Sequence, residues 1–258
     1  MPPAADAPAD AASPWLELRQ VHLRRGGSQV FAGLSLHLAE ERIGLIGHNG
    51  AGKTSLLRLL CALEAPQGGQ VLSQGQDLHV LPVGQLRAQR VGMMFQNPDD
   101  QIIFPTVQEE LGLGLQPQGL SRREALARAR AFLAERGLAD WAERAVGTLS
   151  QGQRQQLCWL ALLLAGPRTL LLDEPYASLD LPGQARLADD ITACGRQVLV
   201  STHVLGPVRD YPRVIWLHEG RVRGDGPGRE VCAAYEAAVA AEVAHARSAA
   251  RPELRAVA

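Results

Sequence analysis

The chain has 258 residues, 46% of them hydrophobic and 21% charged, with a formal net charge of −1. That length suits one to two domains, and the apolar share suits a buried core, so wholesale disorder is excluded. The 26 basic and 27 acidic residues give no global grip on nucleic acid, and no apolar run approaches the ~20 residues that span a bilayer.

Aromatic residues are sparse, at 4%, so Leu, Ala and Val must fill most of the core. The cysteines at 61, 158, 194 and 232 show no short paired spacing. Neither a metal knuckle nor a disulfide framework is expected, and a reduced cytosolic setting fits. No basic residue precedes Arg19, which argues against a secretory signal.

Residues 1–14, rich in Pro, Ala and Asp, read as a loose tail. From Trp15 the apolar positions alternate: Leu16 and Leu18, then Val21 and Leu23 after a polar step, with Leu34, Leu36 and Leu38 following the Gly26-Gly27 turn. Two antiparallel strands are expected there. Residues 43–46 form a short apolar strand broken by Gly47, and residues 54–63 carry helical spacing at Leu56, Leu57, Leu60 and Leu63. Further strands are expected at 70–72 and 91–95, with loop and short helix over 97–120. Ser121 with Glu124 forms a capping box opening a helix to Glu135, stopped by Gly137. A second box, Ser150 with Gln153, opens a helix from 151 to 165. The runs 169–172 and 197–201 are apolar throughout, as in parallel strands buried on both faces. A late hairpin is expected around Glu219-Gly220, and the Ala-rich residues 229–250 read as helix. Alternating strands and helices give an α/β fold with a parallel core.

The chemistry centres on Gly47-His48-Asn49-Gly50-Ala51-Gly52-Lys53-Thr54, which matches the G-x-x-x-x-G-K-[ST] phosphate loop. It sits after a strand and before a helix. The glycines let backbone N–H groups converge on phosphate oxygens, and the helix N-terminus adds positive charge. Lys53 is the sole lysine among the 26 basic residues; a site demanding a compact ammonium explains why one position is not arginine. Lys53 would reach the β- and γ-phosphates, Thr54 would offer its hydroxyl to Mg²⁺, and Ser55 completes the loop's nucleotide contacts. Asp173 and Glu174 end an apolar strand; Asp173 suits Mg²⁺, and Glu174 suits a base for the attacking water. A phosphate loop with such acids fits any P-loop NTPase. A guanine-reading Asn-Lys-x-Asp motif is impossible here, because the one lysine is already placed.

Together with Leu149-Ser150-Gln151-Gly152-Gln153, these residues resemble the ABC ATPases over roughly residues 15–228. The resemblance implies a P-loop NTPase with a RecA-like parallel-sheet core, an N-terminal antiparallel β subdomain and an inserted α-helical subdomain at about 97–165, followed by an Ala-rich helical extension over 229–258. It implies ATP with Mg²⁺, Gln96 as a Mg²⁺- and γ-phosphate-sensing glutamine, Asp180 as the D-loop aspartate and His203 as the switch histidine. It also implies that Ser150, Gln151, Gly152 and Gln153 serve the site of a second subunit, so that two chains, identical or homologous, sandwich two ATPs. Two positions depart from the family pattern. Arg25 stands where an aromatic residue usually stacks on adenine, a task a guanidinium plane can also perform, and Gln151 replaces the first signature glycine.

Residues 95–110 resemble the ATPases of energy-coupling-factor (ECF) importers. There this region helps receive a transmembrane T component, and Asp99, Asp100, Glu109 and Glu110 would lend it acidity toward arginines. Residues 148–182 look most like ATPases of biotin systems, with cobalt and nickel ATPases as close relatives. The implied setting is peripheral, on the cytoplasmic side of a bacterial cell membrane, with a substrate-binding S component as a further partner and no nucleic acid. A soluble, non-transport ABC ATPase is the more distant alternative.

Overall fold

The first two strands, β1 (Leu16–Arg25) and β2 (Ser28–Leu38), pair antiparallel across the Gly26-Gly27 turn. Their apolar positions change parity between Leu18 and Val21. A β-bulge absorbs that step: the register shifts there, Gln20 adopts φ 48°, and Leu16, Leu18, Val21 and Leu23 all stay buried. In the computed structural model, which describes residues 14–81 and 89–250, β1 also pairs with β4 (Gly68–Ser73), and the short β5 (Gln76–Asp77) completes a four-stranded sheet in the order β2-β1-β4-β5. Except for Pro14, the tail expected over 1–14 lies outside the described residues, as do the last eight residues of the C-terminal extension.

The second sheet has six strands in the order β10-β9-β3-β8-β7-β6. These are β3 (Arg42–Ile46), β6 (Val91–Met94), β7 (Thr169–Asp173), β8 (Gln197–Ser201), β9 (Arg213–His218) and β10 (Arg221–Gly226). β6, β7, β8, β3 and β9 run parallel, and β10 returns antiparallel on β9. Successive side chains feed opposite cores, as a two-dimensional pleat requires. Ile43, Leu45, Leu171, Leu199, Ile215 and Leu217 join the antiparallel sheet and α1 (Lys53–Leu60). Ile46, Leu170, Leu172, Val198, Val200, Val214 and Trp216 face the other way. There they meet Trp159 of α4 (Gln151–Ala165), Leu187 and Ile191 of α5 (Leu181–Ala193), and Val231 and Cys232 of α6 (Gly228–Ala250).

A third cluster lies between β6 and β7 in the chain, where α2 (Val107–Leu113), α3 (Arg122–Ala134) and α4 bury Val107, Leu111, Ala129, Leu133, Leu157 and Leu160 together. Both expected capping boxes form. Two expectations change. The first helix stops at Leu60 because Ala62 turns left-handed at φ 57°, which leaves Leu63 exposed. Helix α5 was not anticipated; its signals are an Asp180 N-cap, a proline in the first turn and Leu187 four residues before Ile191. Among the described residues no helix is long and apolar enough to cross a membrane.

Gly69, in β4, faces the β1 bulge. At φ 84° its added Cβ would lie 2.3 Å from the Gln20 carbonyl oxygen, on the bulge itself. Gly75 has a similar φ of 76° but open space around it. Gly75→Ala is therefore expected to cost about 1–2 kcal/mol, the left-handed penalty alone. Gly69→Ala is expected to cost ~3 kcal/mol or more, because backbone must also move. Thermal melts check the pair, at about 2–4 °C per kcal/mol; equal losses would contradict the bulge contact.

Candidate functional site

In a parallel sheet all strand C-termini share one edge, and the loops leaving that edge form the natural ligand crevice. Here β3 delivers residues 47–52, β6 delivers Gln96, β7 ends in Asp173, and β8 leads to His203.

The loop after β3 is pressed against β9. Gly47 has φ 147°, and an added Cβ would lie 2.1 Å from the Leu217 carbonyl oxygen. Gly50 and Gly52 adopt φ 82° and 104°, so the loop curls with Ala51 N–H donating to the His48 carbonyl at 3.2 Å. Gly52 is the N-cap of α1 and supplies no side chain, and the first turn of α1 holds no acid. By contrast, α3, α4 and α5 spend their first amides on Ser121, Ser150 and Asp180. Helix α1 alone of these four keeps its N-terminal donors for an external anion.

Lys53 is buried. Its Nζ donates to the Gly47 carbonyl at 2.7 Å and the His48 carbonyl at 3.3 Å, and lies 4.0 Å from Glu174 Oε1. Burial lowers its pKa, while Glu174 and Asp173 pull it back up. Thr54 Oγ1 donates to Asp173 Oδ2 at 2.8 Å. Asp173 Oδ1 is buried without a hydrogen bond of standard geometry, and burial lifts the carboxyl above its ordinary 3.8 against the pull of the Thr54 and Ser201 hydroxyls. A buried carboxylate with a free lone pair beside a threonine hydroxyl is a fitting oxygen donor set for a hard divalent cation that also brings phosphate ligands. Ser55 is buried one residue on.

Glu174 sits at φ 48°, and its N–H donates to the Ser201 carbonyl at 2.8 Å. Its Oε2 accepts from the His203 backbone N–H at 3.1 Å and lies 2.7 Å from His203 Nδ1. Thr202 Oγ1 accepts from Val204 N–H at 2.9 Å and shapes that loop. Thr202 escaped notice in the sequence because its work is a local turn bond that leaves no motif.

The remaining candidates lie apart. The Gln96 side chain is exposed and forms no hydrogen bond to Lys53, Thr54 or Asp173 among the described residues. Arg25 is held edge-on by Glu64, with Nε donating to Oε1 at 2.8 Å and Nη2 to Oε2; the faces of its guanidinium stay clear of that pairing. At the α4 N-terminus, Ser150 Oγ accepts from Gln153 N–H at 3.2 Å, and Gln153 Oε1 accepts from Ser150 N–H at 3.0 Å. Gln151 Nε2 donates to Ser178 Oγ at 3.1 Å, and a Cβ on Gly152 would meet Leu179 at 3.6 Å. Gln151 thus ties the signature stretch to the segment leading into Asp180, a link that only a side chain longer than glycine can make. Asp180 Oδ1 accepts from Gly183 N–H at 2.8 Å.

The expected acidic surface over 95–110 is corrected. Glu110 is buried and accepts from the Ile103 and Phe104 amides at 2.9 Å each. Glu109 pairs with Arg122, and Asp99 with Arg154, each at 2.8 Å. Asp100 alone of the four carries no side-chain hydrogen bond or ion pair among the described residues.

The ABC transporter family matches residues 31–177. The biotin transport ATP-binding protein BioM of Rhodobacter capsulatus is 45% identical over 226 residues, 88% of this chain and 96% of that protein. The energy-coupling factor transporter ATP-binding protein EcfA1 of Streptococcus thermophilus is 34% identical over 203 residues, 77% of this chain and 73% of that protein. The solved cbiO1 of Clostridium perfringens, described as part of the ABC transporter complex cbiONQ, shares the fold with a TM-score of 0.74 at 24% identity, covering 87% of this chain and 93% of that one.

The raised Asp173 pKa gives a signed expectation. A carboxyl that holds its proton more tightly when folded costs stability as pH rises above its ordinary 3.8. Asp173→Asn should therefore raise the melting temperature of the nucleotide-free protein at neutral pH, and this gain should vanish below about pH 4. The same variant should lose the extra stabilisation that Mg²⁺ adds to ATP. Thermal melts from about pH 3 to 8 check it; a lower melting temperature at neutral pH would refute it.

Proposed function

The chain belongs to the ABC transporter family of ATPases, and from that premise we propose that it powers an ECF-type importer for a small nutrient, biotin. The observation that carries the ATPase reading is the meeting of Lys53, Thr54, Asp173 and Glu174 at one sheet edge. Support for biotin is the 45% identity to a relative named for biotin transport, extending over 96% of its length.

The chemistry follows from the residues. Residues 47–52 and the uncapped end of α1 offer backbone donors to the phosphates of ATP. Lys53, now resting on its own loop's carbonyls, exchanges one of them for β- and γ-phosphate oxygens. Thr54 and Asp173 would hold Mg²⁺, with Gln96 added from the end of β6; the ion supplies charge neutralisation at the phosphate oxygens. Glu174 takes the proton of the attacking water. His203 holds the Glu174 carboxylate by backbone and ring and is placed to meet the γ-phosphate when that carboxylate turns to water. Arg25 offers a face to the base. His48, Asn49 and Ser55 complete the phosphate wall.

Ser150, Gln151, Gly152, Gln153 and Asp180 act on the ATP of a second copy, giving a homodimer with two sandwiched nucleotides. The transmembrane T component and the substrate-binding S component are separate chains, so this subunit sits peripherally on the cytoplasmic face of the membrane. Nutrient selection belongs to the S component.

Two measurements test this reading. Glu174→Gln should cut ATP turnover by about 10²-fold or more while ATP still binds; Lys53→Ala should lose ATP binding itself. Equal turnover in Glu174→Gln and wild type would remove Glu174 as the base. Specific activity of the isolated subunit should also rise with its concentration through the dimerisation range, and strict proportionality would remove the sandwich.

A further inference from the structure

The Ala-rich C-terminal helix reaches the phosphate loop. Its first turns are anchored by Val231 and Cys232, both buried against β9. Tyr235 follows on the packed face, and Glu242 lies seven residues later, two turns along nearly the same face. Both meet His48. The His48 and Tyr235 rings lie 5.4 Å apart at 54°, and His48 Nε2 lies 3.4 Å from Glu242 Oε2. These are the only side-chain partners of His48 among the described residues. Tyr235 stacks edge-on against Trp216 at 5.3 Å, Arg223 lies 4.4 Å over that indole, and Arg223 Nη1 is 3.9 Å from Glu242 Oε1. The cluster thus closes on itself across β9, β10, α6 and the loop.

His48 is not a bystander in that loop. Its carbonyl accepts from Lys53 Nζ at 3.3 Å and from Ala51 N–H at 3.2 Å. Fixing its side chain therefore fixes an acceptor that sets where the lysine rests and how the loop curls. Tyr235 is also within electrostatic reach of the active edge: after burial, the carboxylates of Glu242 and Glu174 both push its phenol upward.

We propose that Tyr235 and Glu242 are positioning residues for nucleotide binding, through which α6 holds the phosphate loop by His48 in the shape that receives the triphosphate. The inference rests on the reading of residues 47–54 as the phosphate site. It makes the C-terminal helix part of the nucleotide machinery, whereas its composition alone suggests a solvated extension.

The test uses the full chain, with ATP binding measured by calorimetry and turnover measured in parallel. Tyr235→Ala and Glu242→Ala should each weaken ATP binding and raise KM about three- to tenfold with kcat unchanged. Tyr235→Phe, which keeps the ring, should match wild type. In a His48→Ala background, adding Glu242→Ala should change ATP affinity no further. Wild-type affinity in Glu242→Ala, whose half-exposed side chain leaves folding intact, would overturn the proposal, as would a full additional loss in the His48→Ala background. Wild-type protein that bound no ATP would overturn the phosphate-site reading and this inference with it.

Discussion

A buried ammonium has to be shared between the chain and its ligand, and most of the architecture serves that need. Lys53 is enclosed at the end of a parallel sheet, where two backbone carbonyls and the nearby Glu174 replace the water it has lost. The carbonyls are weak partners for a full charge, which suits the proposed exchange of one of them for phosphate. Burial works on both signs in this crevice: it lowers the lysine pKa and raises that of Asp173. An anion and a divalent cation arriving together answer both.

The helices divide their N-termini between structure and function. Those of α3, α4 and α5 are closed by their own side chains, with full capping boxes at Ser121 and Ser150. Of these four helices only α1, beginning at a glycine with φ 104°, leaves its N-terminal donors without a side-chain cap. The Ser150 hydroxyl is committed to Gln153 in the single chain, so in the proposed sandwich the phosphate of a second copy would share that oxygen. Gln151 adds a bond to Ser178 that ties the signature stretch to the turn before Asp180.

Charge in the segment following β6 is used inward. Glu110 ties two loop amides, and Glu109 and Asp99 are matched by arginines of α3 and α4. The Asp99–Arg154 pair links α4 to the segment carrying Gln96, and the Glu109–Arg122 pair ties α2 to α3. The same logic reaches the C-terminus, where α6 lays Tyr235 and Glu242 on His48 and makes a distant segment a neighbour of the phosphate loop.

Local rules made much of this legible. Period-two apolar runs marked β1 and β2, unbroken apolar runs marked β7 and β8, capping boxes marked α3 and α4, and Gly47 to Thr54 marked the loop after β3, because each of these is set by a few contiguous residues. The same rules missed α5, whose Asp180 was read for chemistry alone, and placed Leu63 in a helix that Ala62 ends by turning left-handed. Tertiary structure alone decided which acids were free, since Glu110 accepts from amides six and seven residues away and Asp99 pairs with an arginine 55 residues away. It also made the expected meeting of Thr54 and Asp173 a direct hydrogen bond across 119 residues, and it alone brought His48 to α6. Sequence fixes what depends on neighbours along the chain; contacts between remote segments depend on strand order and helix direction, which no local pattern encodes.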